Sequence, residues 1–201
     1  MFIQVIKAKV RDEQGIRASL DEWISAVKPG AEGYLGTTAG FLDDGKFVAL
    51  ARFDSREAAM RNSDRAEQGE WWARLSANFD GEADFIDADD VTLWMDGGSD
   101  DAGFVQVMVG HSPDVTKLRA ESDQATERLR EARPEIIGGT FGMFGDDGYV
   151  QTAYFRSEAE ARDKEGTEPP DDVKAMIEER MRLLGDGVAY YDLHDPILVS
   201  R

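Results

Sequence analysis

The sequence predicts an α+β fold built twice within one chain, and three observations carry that prediction. Phe2-Ile3-Gln4-Val5-Ile6 returns as Phe104-Val105-Gln106-Val107-Met108, an offset of 102 residues. At the same offset Phe47–Phe53 returns as Tyr149–Phe155, and Asp54–Ala59 matches Arg156–Ala161. A solenoid repeats every ~20–50 residues, so a period this long is the length of a small domain instead. The second observation is that each copy orders its segments strand, helix, strand, strand, helix, strand. The third is that its opening strand is apolar on both faces: Val105, Val107 and Val109 on one, Phe104 and Met108 around Gln106 on the other.

In the first copy Phe2–Lys9 reads as the opening strand. Asp12–Val27 carries Ile16, Leu20, Trp23, Ile24 and Val27 at helical spacing, with Lys28-Pro29-Gly30 as its stop. Tyr34–Leu42 and Phe47–Phe53 flank the turn Asp43-Asp44-Gly45-Lys46, a hairpin signal. Asp54 and Ser55 are cap candidates for a second helical region, which is expected to break near Gly69 before Trp71, Trp72, Leu75 and Phe79. Val91–Met95 closes the unit. Asp96–Asp101 is small, polar and acidic, and reads as a linker.

The second copy repeats the order. Phe104–Val109 is a strand; Pro113 and Asp114 open a helix bearing Leu118, Ala125 and Leu129 that ends before Pro134. Gly138–Phe144 and Tyr149–Phe155 make the second hairpin. A break at Pro169-Pro170 precedes a helical pattern over residues 173–184, and Val188–Leu193 is the last strand. The tail from Asp195 onward is expected to be extended. This order gives a ferredoxin-like unit, an antiparallel four-stranded sheet with both helices on one face. Because the other face is apolar too, it needs a second layer. The expectation is two tandem units, 1–98 and 103–201 with a 97–102 linker, packed sheet to sheet within the chain. A monomer then suffices for the central interface, and further self-association is compatible with it.

Composition narrows the function classes. The chain has 201 residues and no cysteine, which excludes disulfides, thiolate metal sites and cysteine nucleophiles. A net charge of −18 without a Lys/Arg cluster argues against nucleic acid and against anionic membranes. No apolar run approaches a membrane span, and Lys7 and Lys9 follow the first apolar stretch instead of preceding it, the wrong order for a signal peptide. A cytoplasmic protein is the expectation.

The whole chain resembles the dimeric α+β barrel superfamily, and more narrowly the antibiotic-biosynthesis-monooxygenase-like proteins in a tandem, single-chain form. The resemblance rests on Phe-x-Gln-Val openings at Phe2 and Phe104, on Phe-x-Ser-x-x-x-Ala joints at Phe53–Ala59 and Phe155–Ala161, and on Glu70-Trp71-Trp72. It implies a single-chain α+β barrel with a pocket between each sheet and its helices. In some relatives such a pocket oxygenates aromatic or polyketide-like molecules without a cofactor, through the substrate's own enolate; others degrade haem. Neither His111 nor His194 falls in a second helical region, where the haem-degrading relatives place their iron ligand.

Five residues stand out as ligand-binding candidates, and no catalytic residue is identifiable. Trp71 and Trp72, with Asn78 beside Phe79, offer an aromatic wall and an amide; the same spacing also describes a core-facing stripe. Arg52 and Tyr154 occupy matched strand positions, where they could hold an anionic group or serve as buried structural polar groups. The matched Gln4 and Gln106 are expected to hydrogen-bond within or between sheets. The two histidines lack metal-ligand spacing and no phosphate-cradling loop occurs, so no metal, flavin, nicotinamide or other cofactor is expected. Two functions remain open: a cofactor-independent monooxygenase-like enzyme for a small aromatic or polyketide-like molecule, and a non-catalytic small-molecule-binding or structural member of the superfamily. The first requires a cavity of about 300 Å³ or more beside Trp71 and Trp72.

Overall fold

The computed structural model of the chain describes residues 1–95, 97–122, 133–165 and 171–200. The elements run β1 (Phe2–Lys9), α1 (Glu13–Glu22), β2 (Tyr34–Phe41), β3 (Lys46–Phe53), α2 (Arg56–Ser63), α3 (Ala66–Ser76), β4 (Asp84–Trp94) and β5 (Phe104–His111). Then come a helix over residues 115–122 (α4), β6 (Ile136–Phe144), β7 (Gly148–Phe155), α5 (Glu158–Glu165), α6 (Asp171–Leu184), β8 (Ala189–His194) and β9 (Ile197–Ser200). The chain is α+β, with the β-α-β-β-α-β order present twice. Ala125 and Leu129, the expected helix end before Pro134, Asp96 of the expected linker and the Pro169-Pro170 break lie outside the described residues.

Two compact units form, one of Met1–Asp89 with Ile197–Arg201 and one of Asp90–Pro196. In the first the strand order is β9-β2-β3-β1-β4, and in the second β8-β5-β7-β6 with β4 beside β6. The four inner strands of each have the antiparallel order expected of a ferredoxin-like sheet. The repeat is visible in atomic detail. β2 and β3 pair Tyr34 with Phe53 and Gly36 with Arg52 across a bulge; β6 and β7 pair Ile136 with Phe155 and Gly138 with Tyr154 across another. Asp12 caps α1 by accepting from the Gly15 N–H at 3.1 Å, and Asp114 accepts from the Lys117 N–H at 2.9 Å. Ser55 and Ser157 do the same for α2 and α5.

The compact units divide the chain differently from its repeat. Asp90 and Asp195 both adopt positive φ, 48° and 45°, a conformation aspartate tolerates better than most residues. Past each of them the chain leaves its own half. The end of β4 lies beside β6 of the second unit, and β9 pairs with β2 of the first over Gly36–Ala39. Each half thereby lends its last strand to the unit formed by the other.

The helices of the first unit pack on the sheet face that carries Phe47, Ala49 and Phe53, with Ile16, Trp23, Ala58, Ala59, Trp71 and Leu75 facing them. The opposite face, Ile3, Val5, Val48 and Leu50, is buried too, as two-sided apolar strands require. The expected break near Gly69 falls instead at Asp64 and Arg65, and Gly69 sits inside α3. A glycine costs a helix only about 1 kcal/mol, whereas Arg65 fixes the corner by donating to the Val27 carbonyl and the Asn62 side chain. No helix among the described residues is long and apolar enough to cross a membrane.

Candidate functional site

A cavity of about 410 Å³ lies in the first unit, between its sheet and its helices. Strand alternation makes its floor. On β3 the side chains of Phe47, Ala49, Ala51 and Phe53 face the helices, and on β2 Tyr34, Thr37 and Ala39 do. Tyr34 and Thr37 are three residues apart, so a regular strand would send them to opposite faces. The bulge before Gly36 restores them to one, and the Tyr34 hydroxyl reaches Thr37 Oγ1 at 2.8 Å and the Val199 carbonyl at 3.2 Å. The two cross-strand partners at the centre, Ala39 and Ala49, have the smallest side chains available, and the space opens above them.

Aromatic residues make the walls. After Glu22 the first helix widens into one π turn, Trp23–Val27, a feature frequent at functional sites. Trp23 packs edge-on to Tyr34 at 4.8 Å and lies 6.1 Å from Trp71; Trp72 in turn meets Phe85 at 5.4 Å between ring centres. Phe85 is half exposed and belongs to the lining, as does Ile24, so apolar surface continues from the interior to solvent. β9 closes another side with Ile197 and Val199.

The polar groups are few and held in place. Trp23 Nε1 donates to Gln68 Oε1 at 2.9 Å, and Arg65 Nη1 donates to Asn62 Oδ1 at 2.9 Å. With both carbonyl oxygens engaged, each amide is fixed in orientation. The Asn62 Nδ2 and Gln68 Nε2 groups have no protein acceptor among the described residues, and both side chains line the cavity. Gln4 lies across the floor, its Nε2 donating to Asp87 at 2.9 Å. Of the lining side chains only the Tyr34 phenol can ionise at all. The chamber therefore offers hydrogen-bond donors, apolar walls and no formal charge, which suits a neutral ligand with an acceptor oxygen.

The structure brings together only part of the expected set. Trp71 and Trp72 both line the cavity, Trp71 buried with its Nε1 donating to the Ser19 carbonyl at 2.6 Å. Asn78 does not line it. Its side chain donates to the Arg74 and Leu75 carbonyls, and its backbone carbonyl accepts from the Arg11 and Asp12 N–H groups, so it ends α3 and ties it to the start of α1. Arg52 and Tyr154 sit on the strand face opposite the helices, away from the cavity. Each stands across from a glycine, Gly36 or Gly138. Arg52 is half-buried, its Nε without a partner among the described residues, and Tyr154 is buried in the second unit.

The matched glutamines belong to a repeated polar cluster. Gln4 donates to Asp87 and Gln106 to Asp192, both at 2.9 Å. Arg56 bonds Asp87 and lies over the Phe2 ring, while Arg162 bonds Asp192 and lies over Phe104. The bond to Asp89 raises the pKa of Arg56 further. Each histidine meets one carboxylate, His111 with Asp147 at 2.7 Å and His194 with Glu158 at 2.9 Å. No group of three or more potential metal ligands occurs among the described residues.

Sequence reasoning passed over Trp23, Gln68, Asn62 and the two alanines. Trp23 reads as part of the helical stripe from Ile16 to Val27, the alanines carry no signal of their own, and Gln68 lies next to Gly69, where a helix break is expected. The recoverable signal was the contrast between copies: at the 102-residue offset Ala39 and Ala49 stand against Phe141 and Gln151.

The fold and cavity together define a class, two-unit α+β proteins with a chamber between sheet and helices. Solved structures share that fold along the whole chain. A protein of Fusobacterium nucleatum provisionally named a monooxygenase superposes with a TM-score of 0.79 at 11% identity, covering 100% of this chain and 94% of its own. Another with the same provisional name, from Lactobacillus acidophilus, gives 0.75 at 13% identity, covering 99% and 95%. An anthrone oxidase-like protein gives 0.60 at 10% identity, covering 100% and 91%. At such identities the likeness establishes the fold. No protein-family model matches the sequence, and no curated protein matches it either.

Proposed function

We propose that the first unit binds a neutral, largely planar aromatic or polyketide-like molecule and oxygenates it as a cofactor-independent monooxygenase. The observation that carries this reading is the cavity of about 410 Å³, walled by Trp23, Trp71 and Trp72 and lined by no charged side chain. The whole-chain likeness to proteins provisionally named monooxygenases, and to one described as anthrone oxidase-like, supports it by analogy of fold.

The lining suits a reaction in which the substrate supplies its own carbanion, since its one ionisable side chain is a phenol that already donates its proton. A ring ketone with an acidic methylene ionises to an enolate by giving its proton to water at the open edge beside Phe85. The orientated Asn62 and Gln68 amides would donate to the enolate oxygen, a preorganised arrangement that lowers the cost of developing charge. With anthrone the balance is simple: two methylene C–H bonds break, one oxygen atom of O2 becomes the new ketone, and the other leaves as water with both hydrogens. Trp72 and Phe85 would hold the ring flat against the alanine floor.

The test is oxygen uptake by purified protein with anthrone and no added cofactor. One equivalent of O2 should be consumed per anthraquinone formed, and the rate should fall about tenfold or more in folded Trp72→Ala, where the ring loses its wall. Binding of the ring system without oxygen uptake would contradict the oxygenase reading and favour a binding protein.

A further inference from the structure

The two units carry the same frame, yet the space above the central strand pair differs. In the first unit the pair is Ala39 and Ala49; at the same register in the second it is Phe141 and Gln151. Phe141 is fully buried and stacks on Tyr149 with ring centres 6.0 Å apart. Gln151 Oε1 accepts from Arg180 Nη2 at 2.8 Å, so α6 places a guanidinium above it. The lent strands differ in the same sense. Val199 pairs with Thr37 and lines the cavity, whereas Trp94 covers Gly139, the residue equivalent to Thr37, so closely that a Cβ there would collide with the indole.

Three larger side chains thus occupy in the second unit what Ala39, Ala49 and Val199 leave open in the first. We infer that Ala39, Ala49 and Val199 are the residues that set the size of ligand the first unit admits. A flat ring system lies across the Ala39–Ala49 pair, in the volume that Phe141 and Gln151 fill in the other copy. This inference rests on the proposal that the cavity is a ligand site, and it assigns which positions determine what fits there.

The experiment grafts the second unit's residues onto the first and reads binding, not turnover. Anthraquinone, a neutral three-ring probe, is titrated into the full chain and followed by quenching of tryptophan fluorescence. The wild-type chain should bind one equivalent. Ala39→Phe should weaken binding by roughly tenfold or more, since a phenyl ring in the slot forces the probe out or the floor apart. Ala49→Gln, a smaller insertion, provides the same reading should Ala39→Phe not fold, and the reverse change Phe141→Ala should leave first-unit affinity unchanged. Wild-type affinity in folded Ala39→Phe or Ala49→Gln would overturn the inference. Turnover separates the two readings: binding that these substitutions abolish, in a wild-type chain consuming no oxygen, removes the oxygenase and keeps the size determinants. Oxygen uptake undiminished in the folded variants does the opposite.

Discussion

The two units of this chain share strand order, bulges, helix caps and the Arg–Asp–Gln cluster over a phenylalanine, yet above the central strand pair the first leaves a cavity where the second buries Phe141 and Gln151. The shared frame is fixed by local backbone geometry: Asp12 and Asp114 as caps, Gly36 and Gly138 at the bulges, Asp90 and Asp195 where the strands depart. The difference sits at the helix-facing strand positions, where size is free to vary once the frame is fixed. A duplicated fold can thus leave a cavity in one copy and set larger side chains at the same positions of the other while strand order and register stay the same.

That contrast is most exposed to truncation. Phe141→Ala removes a ring packed against Tyr149 in the filled unit and should cost about 3–5 kcal/mol, read from the urea midpoint. Phe85→Ala, at the half-exposed edge of the hollow unit, should cost under about 1 kcal/mol, because much of that ring already meets water. Equal costs would mean that the Phe85 ring is held as tightly as the Phe141 ring and that the cavity edge is closed there.

A smaller effect separates Tyr149 from its counterpart Phe47. The Tyr149 hydroxyl donates to the Leu184 carbonyl at 3.0 Å, and burial pushes its pKa up to about 12. Unfolded, the phenol ionises near about 10. Between those values the folded chain keeps a proton that the unfolded chain releases, so its contribution is full below pH 10 and is lost as pH rises toward about 12. Tyr149→Phe should cost about 1–2 kcal/mol at neutral pH and flatten this alkaline decline, as urea midpoints at pH 9 and pH 11 would show. An unchanged decline in the variant would assign it to other groups.

Much of the frame was legible in the sequence because the 102-residue offset carries caps and strand patterns together. The lent strands were not, because they follow a different offset. Asp87 corresponds to Asp192 and Asp90 to Asp195, 105 residues apart, so the last strands slip out of register with the repeat. The site was legible in part. Trp71 and Trp72 stand out as aromatics, and the structure sets them beside the cavity. Asn78 was assigned by extending the helical period past Ser76, where α3 ends. Arg52 and Tyr154 were matched correctly as a pair, but alternation alone does not say which strand face the helices cover. The alanines carry no chemistry of their own, and their meaning appears only when they are set against Phe141 and Gln151.

The most direct test of the hollow-and-filled account uses the four tryptophans, of which Trp23, Trp71 and Trp72 line the cavity and Trp94 lies in the second unit. Their indole N–H signals are followed by nitrogen–proton NMR while a neutral aromatic, 2-naphthol, is added. The signals of Trp23, Trp71 and Trp72 should shift together and saturate at one equivalent, with Trp94 unmoved. A shift of Trp94 in step with them, or three unmoved signals at saturating probe, would contradict it.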